Sequence, residues 1–70
     1  MKHESNSTLL DDGAILRLDQ VCEYTGLSRA VIYRRVADGK FPKPRRVSNR
    51  AIGWRVSDLR IWSRGLDTVK

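Results

Sequence analysis

The chain has 70 residues, a formal net charge of +6 and a pI near 10.3, which fits one small domain close to the lower limit for a self-sufficient hydrophobic core. That surplus of cations favours a polyanionic partner, nucleic acid first and an anionic membrane surface second. One cysteine, Cys22, and one histidine, His3, exclude an internal disulfide and leave no ligand set for zinc or an iron–sulfur cluster, so no metal or cofactor is expected.

Residues 1–13, MKHESNSTLLDDG, are polar and without sustained period. They read as a flexible N-terminal tail, with His3 in solvent and Leu9 and Leu10 offering one anchoring contact. The start lacks the apolar core of a signal peptide, and no run approaches the roughly 18 apolar residues of a membrane span. A soluble, cytoplasmic protein is therefore expected. The folded domain should occupy residues 14–66, with 67–70 a C-terminal tail.

Ile15, Arg17 and Asp19 alternate with Ala14, Leu16 and Leu18, giving a short segment of strand character. Asp19 is then placed to N-cap a first helix, whose core stripe is expected at Val21, Tyr24 and Thr25. Tyr24 reads as core rather than ligand contact, and Cys22 as a small filler or half-exposed helix residue. Gly26 supplies the left-handed conformation that ends this helix. Leu27 turns back toward the core, and Ser28 N-caps a second helix. Two helices joined by a short glycine-containing turn are the sequence form of a helix-turn-helix, whose second helix enters the DNA major groove.

The wheel of the second helix, Arg29 to Ala37, supports that reading. At about 100° per residue, Ile32 and Val36 form a buried face and Arg34 points roughly 160° from Ile32. Ala30 and Ala37 flank Arg34, so a base edge can be approached closely while the guanidinium reaches guanine O6/N7 or a phosphate. Arg29 and Arg35 occupy the two shoulders, where phosphates border a groove. Tyr33 either meets a base or supports the core through its ring. A solvated basic helix packed on a neighbour is the bland alternative. The turn, the wheel and the basic balance together favour DNA.

Asp38-Gly39 stops the second helix, and the prolines of Phe41-Pro42-Lys43-Pro44 force an extended path. Arg45 to Val47 and Ile52 to Val56 then read as two strands around Ser48-Asn49-Arg50-Ala51, where Asn49 tolerates a left-handed turn. Lys43, Arg45, Arg46, Arg50 and Arg55 charge this hairpin, which suits a wing lying along phosphates or probing a minor groove. The alternative is a structural hairpin with solvated arginines. A last helix is expected to open at Ser57, with Asp58 in its first turn and a hydrophobic staple between Val56 and Ile61. Leu59, Trp62 and Leu66 would face the core, and Gly65 would end the helix. Trp54 and Trp62 supply much of the apolar area. The fold class is thus mainly α with a small β-hairpin: a winged helix-turn-helix of about three helices plus a wing.

The segments TGLSRAVIYR, GKFPKP, RAIGW and DLRIW, in this order and spacing, resemble the AlpA-like phage and prophage regulators. These are a branch of the MerR-like winged-helix proteins that includes many excisionases. The resemblance spans residues 16–64, although Ser48-Asn49 stands where the family often has glycine at the hairpin tip. It implies a bacterial, nucleoid-associated regulator encoded on a prophage or other integrated element. Such a protein would act on transcription of an integrase or excision function, or as a recombination directionality factor that bends DNA at attachment sites. Carried onto this chain, the recognition helix is Arg29 to Ala37 and the wing centres on Arg45 to Arg55.

Double-stranded DNA is the expected partner, joined by an integrase or by further copies of the protein on adjacent sites. Arg34 and Tyr33 are expected to meet bases, with Arg29, Arg35, Arg46 and Arg50 on phosphates. Ala30 lines the recognition helix, and Lys43 and Arg45 are weaker phosphate candidates. A protein-interaction module that docks its basic face on an integrase or packaging enzyme is the competing class; steep salt dependence of duplex binding separates the two. No paired carboxylates, nucleophile–histidine set or phosphate-binding loop points to an enzyme.

Overall fold

The computed structural model describes residues 11–69; His3, Leu9 and Leu10 lie outside them. The order is β1 (Ile15–Leu16), α1 (Leu18–Thr25), α2 (Arg29–Ala37), β2 (Arg45–Ser48), β3 (Ala51–Arg55) and α3 (Val56–Arg64). The expected three helices and hairpin are present, with β1 added to the hairpin as a third antiparallel strand in the order β1-β3-β2. The core is Leu16, Val21, Ile32, Phe41, Trp54, Val56 and Leu59, so every element except β2 contributes to it or borders it. No described helix is long and apolar enough to cross a membrane.

α1 starts two residues earlier than the Asp19 cap implies. Leu16 pairs with Trp54 and Leu18 packs on the core, so the chain must leave the strand and begin the helix within one residue. That residue, Arg17, is the N-cap, and its backbone N–H donates to Gln20 Oε1 at 3.0 Å. Asp19 falls instead in the first turn, where its charge suits the helix dipole. The inward stripe is consequently Leu18, Val21, Cys22 and Thr25. Tyr24 lies about 110° from the centre of that stripe and is 40% exposed rather than in the core.

The turn between the helices forms as its residues dictate. Gly26 has φ 79° and donates its N–H to the Cys22 carbonyl at 2.8 Å. Thr25 Oγ1 donates to the Val21 carbonyl at 2.8 Å and accepts from the Leu27 N–H at 3.1 Å, holding Leu27 against the core. Ser28 Oγ accepts from the Val31 N–H at 3.2 Å, the cap expected of it.

After α2, the extended Lys40–Pro42 path is held by the two tryptophans. Trp54 Nε1 donates to the Pro42 carbonyl at 2.8 Å and Trp62 Nε1 to the Lys40 carbonyl at 3.2 Å. Phe41 meets both indoles edge-on, with ring centroids 6.5 Å from Trp54 and 4.7 Å from Trp62. Trp54 is buried, but Trp62 is only half-buried and caps the core from outside.

The hairpin turns on Asn49-Arg50 alone, and Asn49 is not left-handed: among the described residues no non-glycine has positive φ. The register supplies the reason. Arg46 faces Ile52 but Ser48 faces Ala51, so Val47 is an extra residue in β2. Such a bulge adds the local twist that a primed turn would otherwise provide.

α3 begins at Val56, not Ser57, with Arg55 as N-cap and no side-chain cap. Its free donors are met by backbone from the segment before β1: the Val56 N–H donates to the Ala14 carbonyl at 2.9 Å and the Ser57 N–H to the Asp12 carbonyl at 3.1 Å. Residues 11–13, expected in the tail, thus form a turn against the helix, and Asp12 also pairs with Arg60 at 3.1 Å. With Val56 inside the helix, Val56 and Ile61 lie about 140° apart on the wheel. No staple forms: Val56 is buried and Ile61 is 64% exposed. Leu59 faces the core as expected, but Leu66 follows the Gly65 C-cap and is exposed.

Gly53 of β3 sits against β1 with no room for a side chain. A Cβ there would stand 2.5 Å from Ile15 Cγ2 and 2.9 Å from the Leu16 carbonyl oxygen. The first contact can yield by side-chain movement; the second requires the β1–β3 ladder to open. Gly53→Ala is therefore expected to destabilise by about 1–3 kcal/mol, measurable as a lower urea midpoint with unchanged m-value. A midpoint equal to that of the wild type would show that β1 pairing is dispensable.

Candidate nucleic-acid interface

α2 exposes Ala30, Arg34 and Ala37 on the side opposite Ile32 and Arg29 and Tyr33 on its flanks, while Arg35 is half-buried. The Arg34 guanidinium has no carboxylate partner among the described residues. Arg29 does: Asp19, ten residues earlier on α1, accepts from its guanidinium. The shoulder nearest α1 is therefore neutralised at short range, whereas the face around Arg34 keeps its charge.

The wing cations divide in the same way. Lys43, Arg45, Arg46 and Arg50 are all exposed. Arg45 reaches over to α3, donating through Nε to Asp58 Oδ2 at 2.7 Å and through a second nitrogen to Oδ1 at 3.4 Å. Arg46 turns to its own hairpin, donating to the Asn49 carbonyl at 3.3 Å. Arg50 stands at the tip, its backbone N–H bonded to Ser48 Oγ at 3.4 Å.

The Arg45 hydrogen bond and charge hold the Asp58 carboxyl below its ordinary value of 3.8, against a smaller opposing effect of burial. A depressed carboxyl stabilises the fold above the unfolded-state pKa, and that contribution is lost as pH falls through the folded value. Asp58→Asn should thus melt below the wild type at neutral pH, with the gap closing as pH drops below 3.8. Melts across a pH series check this; a gap of constant size would assign the loss to packing.

Tyr33 and Arg50, far apart in sequence, share one cleft of about 270 Å³, lined also by Arg17, Asp19, Ile52 and Trp54. Arg17 reads from sequence only as one residue of an alternating strand. Its place beside the wing depends on β1 pairing with β3, which no local signal announces. A second hollow of about 730 Å³ lies under Phe41, Pro42, Pro44, Ile61 and Trp62.

A helix pair with its second helix exposed and basic, followed by a charged hairpin, defines a winged helix-turn-helix DNA-binding domain. The chain belongs to the family of the prophage CP4-57 regulatory protein (AlpA), whose model matches residues 14–65. It is accordingly a prophage regulatory protein of a DNA-binding family. No curated protein and no solved structure matches it.

Proposed function

We propose that this protein binds a specific duplex sequence with α2 in the major groove and the β2–β3 wing along the flanking backbone, and thereby regulates transcription of an integrase or excision function. The observation that carries this is the Arg34 face. A guanidinium without an acidic partner among the described residues projects between two alanines on an exposed helix side. Small neighbours remove the steric bar to the groove floor, and the free fork matches guanine O6 and N7. Ala30 lies on that side and Tyr33 on its flank, and Arg35, Lys43, Arg46 and Arg50 supply charge around it. Arg29 and Arg45 are poorer phosphate ligands, because each must first give up a carboxylate. Family membership favours this reading over a basic face that docks on an integrase or packaging enzyme.

Footprinting on the protein's own promoter and on the ends of the surrounding element tests it. Protection of one site over a promoter supports transcription control. Several repeated sites beside an attachment core would instead make it a recombination directionality factor, assembled from several copies next to an integrase. No protection anywhere, with duplex affinity insensitive to sequence, would overturn specific binding.

A further inference from the structure

We infer that the cleft between α2 and the wing tip is a seat for one DNA backbone phosphate, held by Arg17, Arg50 and Tyr33, and that Arg17 is a DNA-contacting residue; this rests on the DNA-binding reading above. Three separate segments build the cleft: the β1–α1 junction, the middle of α2 and the hairpin tip. Each places a group suited to a phosphate there. Arg17 and Arg50 bring planar guanidiniums that match phosphate oxygens, and Tyr33 brings a hydroxyl able to donate to one.

The local charge is uncompensated. Neither Arg17 nor Arg50 has a carboxylate partner among the described residues. The carboxylate that does line the cleft, Asp19, is engaged by Arg29. Two cations therefore border a hollow of about 270 Å³ with no anion left over to balance them. Ile52 and Trp54 form its apolar wall, which excludes water on one side and strengthens a charge–charge contact there. Ile52 is 40% exposed and offers a surface on which the neighbouring deoxyribose can rest.

The geometry also assigns Arg50 to phosphate rather than to the minor groove, because it shares its cleft with a residue of the recognition helix. Tyr33 directly precedes Arg34. A phosphate seated against Tyr33, Arg17 and Arg50 thus fixes the depth and register at which Arg34 meets the bases. The clamp positions; it carries no sequence information of its own.

The test uses the full chain and its preferred duplex, in which each backbone phosphate is replaced in turn by an uncharged methylphosphonate. The wild type should lose affinity at one position contacted by the clamp. Arg17→Gln and Arg50→Gln should each bind more weakly, yet be indifferent to that same replacement. Their plots of log K against log salt should be shallower by about one unit, with sequence preference retained. Melting temperatures should stay close to the wild type, since the Arg17 hydrogen bonds to Gln20 and Val21 run through its backbone N–H and carbonyl and the side chain is exposed. An unchanged salt slope for Arg17→Gln, or different phosphates reported by the two variants, overturns the clamp and leaves DNA binding standing. A wild type that binds no duplex overturns both.

Discussion

Trp54→Ala is expected to lower the melting temperature by roughly 12–40 °C or to abolish the cooperative transition. Trp54 is 1% exposed and the largest fully buried side chain. Removing it costs about 3–5 kcal/mol, through lost transfer free energy and an unfilled cavity. The Pro42 carbonyl also loses its 2.8 Å donor, and Phe41 loses one of its two aromatic neighbours. A chain of 70 residues has on the order of 4–10 kcal/mol of total stability, so this loss takes much or all of it. For a domain of this size each kcal/mol is worth roughly 4–8 °C. Circular dichroism melts measure the shift. A cooperative transition within a few degrees of the wild type would mean that the core closes over the gap. Trp62→Ala should cost less, because that ring is only half-buried.

Arg34→Ala is expected to weaken binding to the preferred duplex by roughly five- to 150-fold, the equivalent of about 1–3 kcal/mol. Discrimination should relax at one or two base pairs while affinity for random duplex changes little. Folding should be untouched, since the side chain is exposed opposite the buried Ile32. Titration against the preferred duplex and single-base variants reads both effects. Equal weakening on specific and random DNA would make Arg34 a phosphate contact and move base reading elsewhere on α2.

The helix-turn-helix is legible in the sequence because its signals are local. Gly26 ends one helix and Ser28 caps the next within three residues, and both bonds form as the residue types require. The wheel likewise places Ile32 inward and Arg34 outward, since angular position on a helix follows from spacing alone. What the sequence does not disclose is where a neighbouring element stops. Tyr24 has a core-like spacing from Val21, yet the stripe that packs is centred on the other side of Val21, because β1 forces Leu18 inward. Ile61 fails as a staple for a similar reason: backbone carbonyls of Asp12 and Ala14 take the role of the α3 cap.

Charge pairing is the least legible part of the site. Arg29 and Asp19 are ten residues apart, and Arg45 and Asp58 thirteen. Each pair forms only because two elements with no sequence relation are packed side by side. Counting cations therefore overstates the charge free to meet a phosphate. Arg17 errs in the other direction, gaining its place beside the wing from the β1–β3 register.

β2 is one of the two edge strands of the sheet, and all of it is exposed. An open edge of this kind invites strand addition by another chain and, from there, aggregation. Pro44 stands immediately before it, Arg45 and Arg46 charge it, and the bulge at Val47 twists it out of register with any straight strand. Features of this kind disfavour edge-to-edge pairing between molecules. On the proposed reading of the wing, Arg45 and Arg46 would serve twice, and neutralising them is expected to cost solubility as well as any contribution they make to DNA binding.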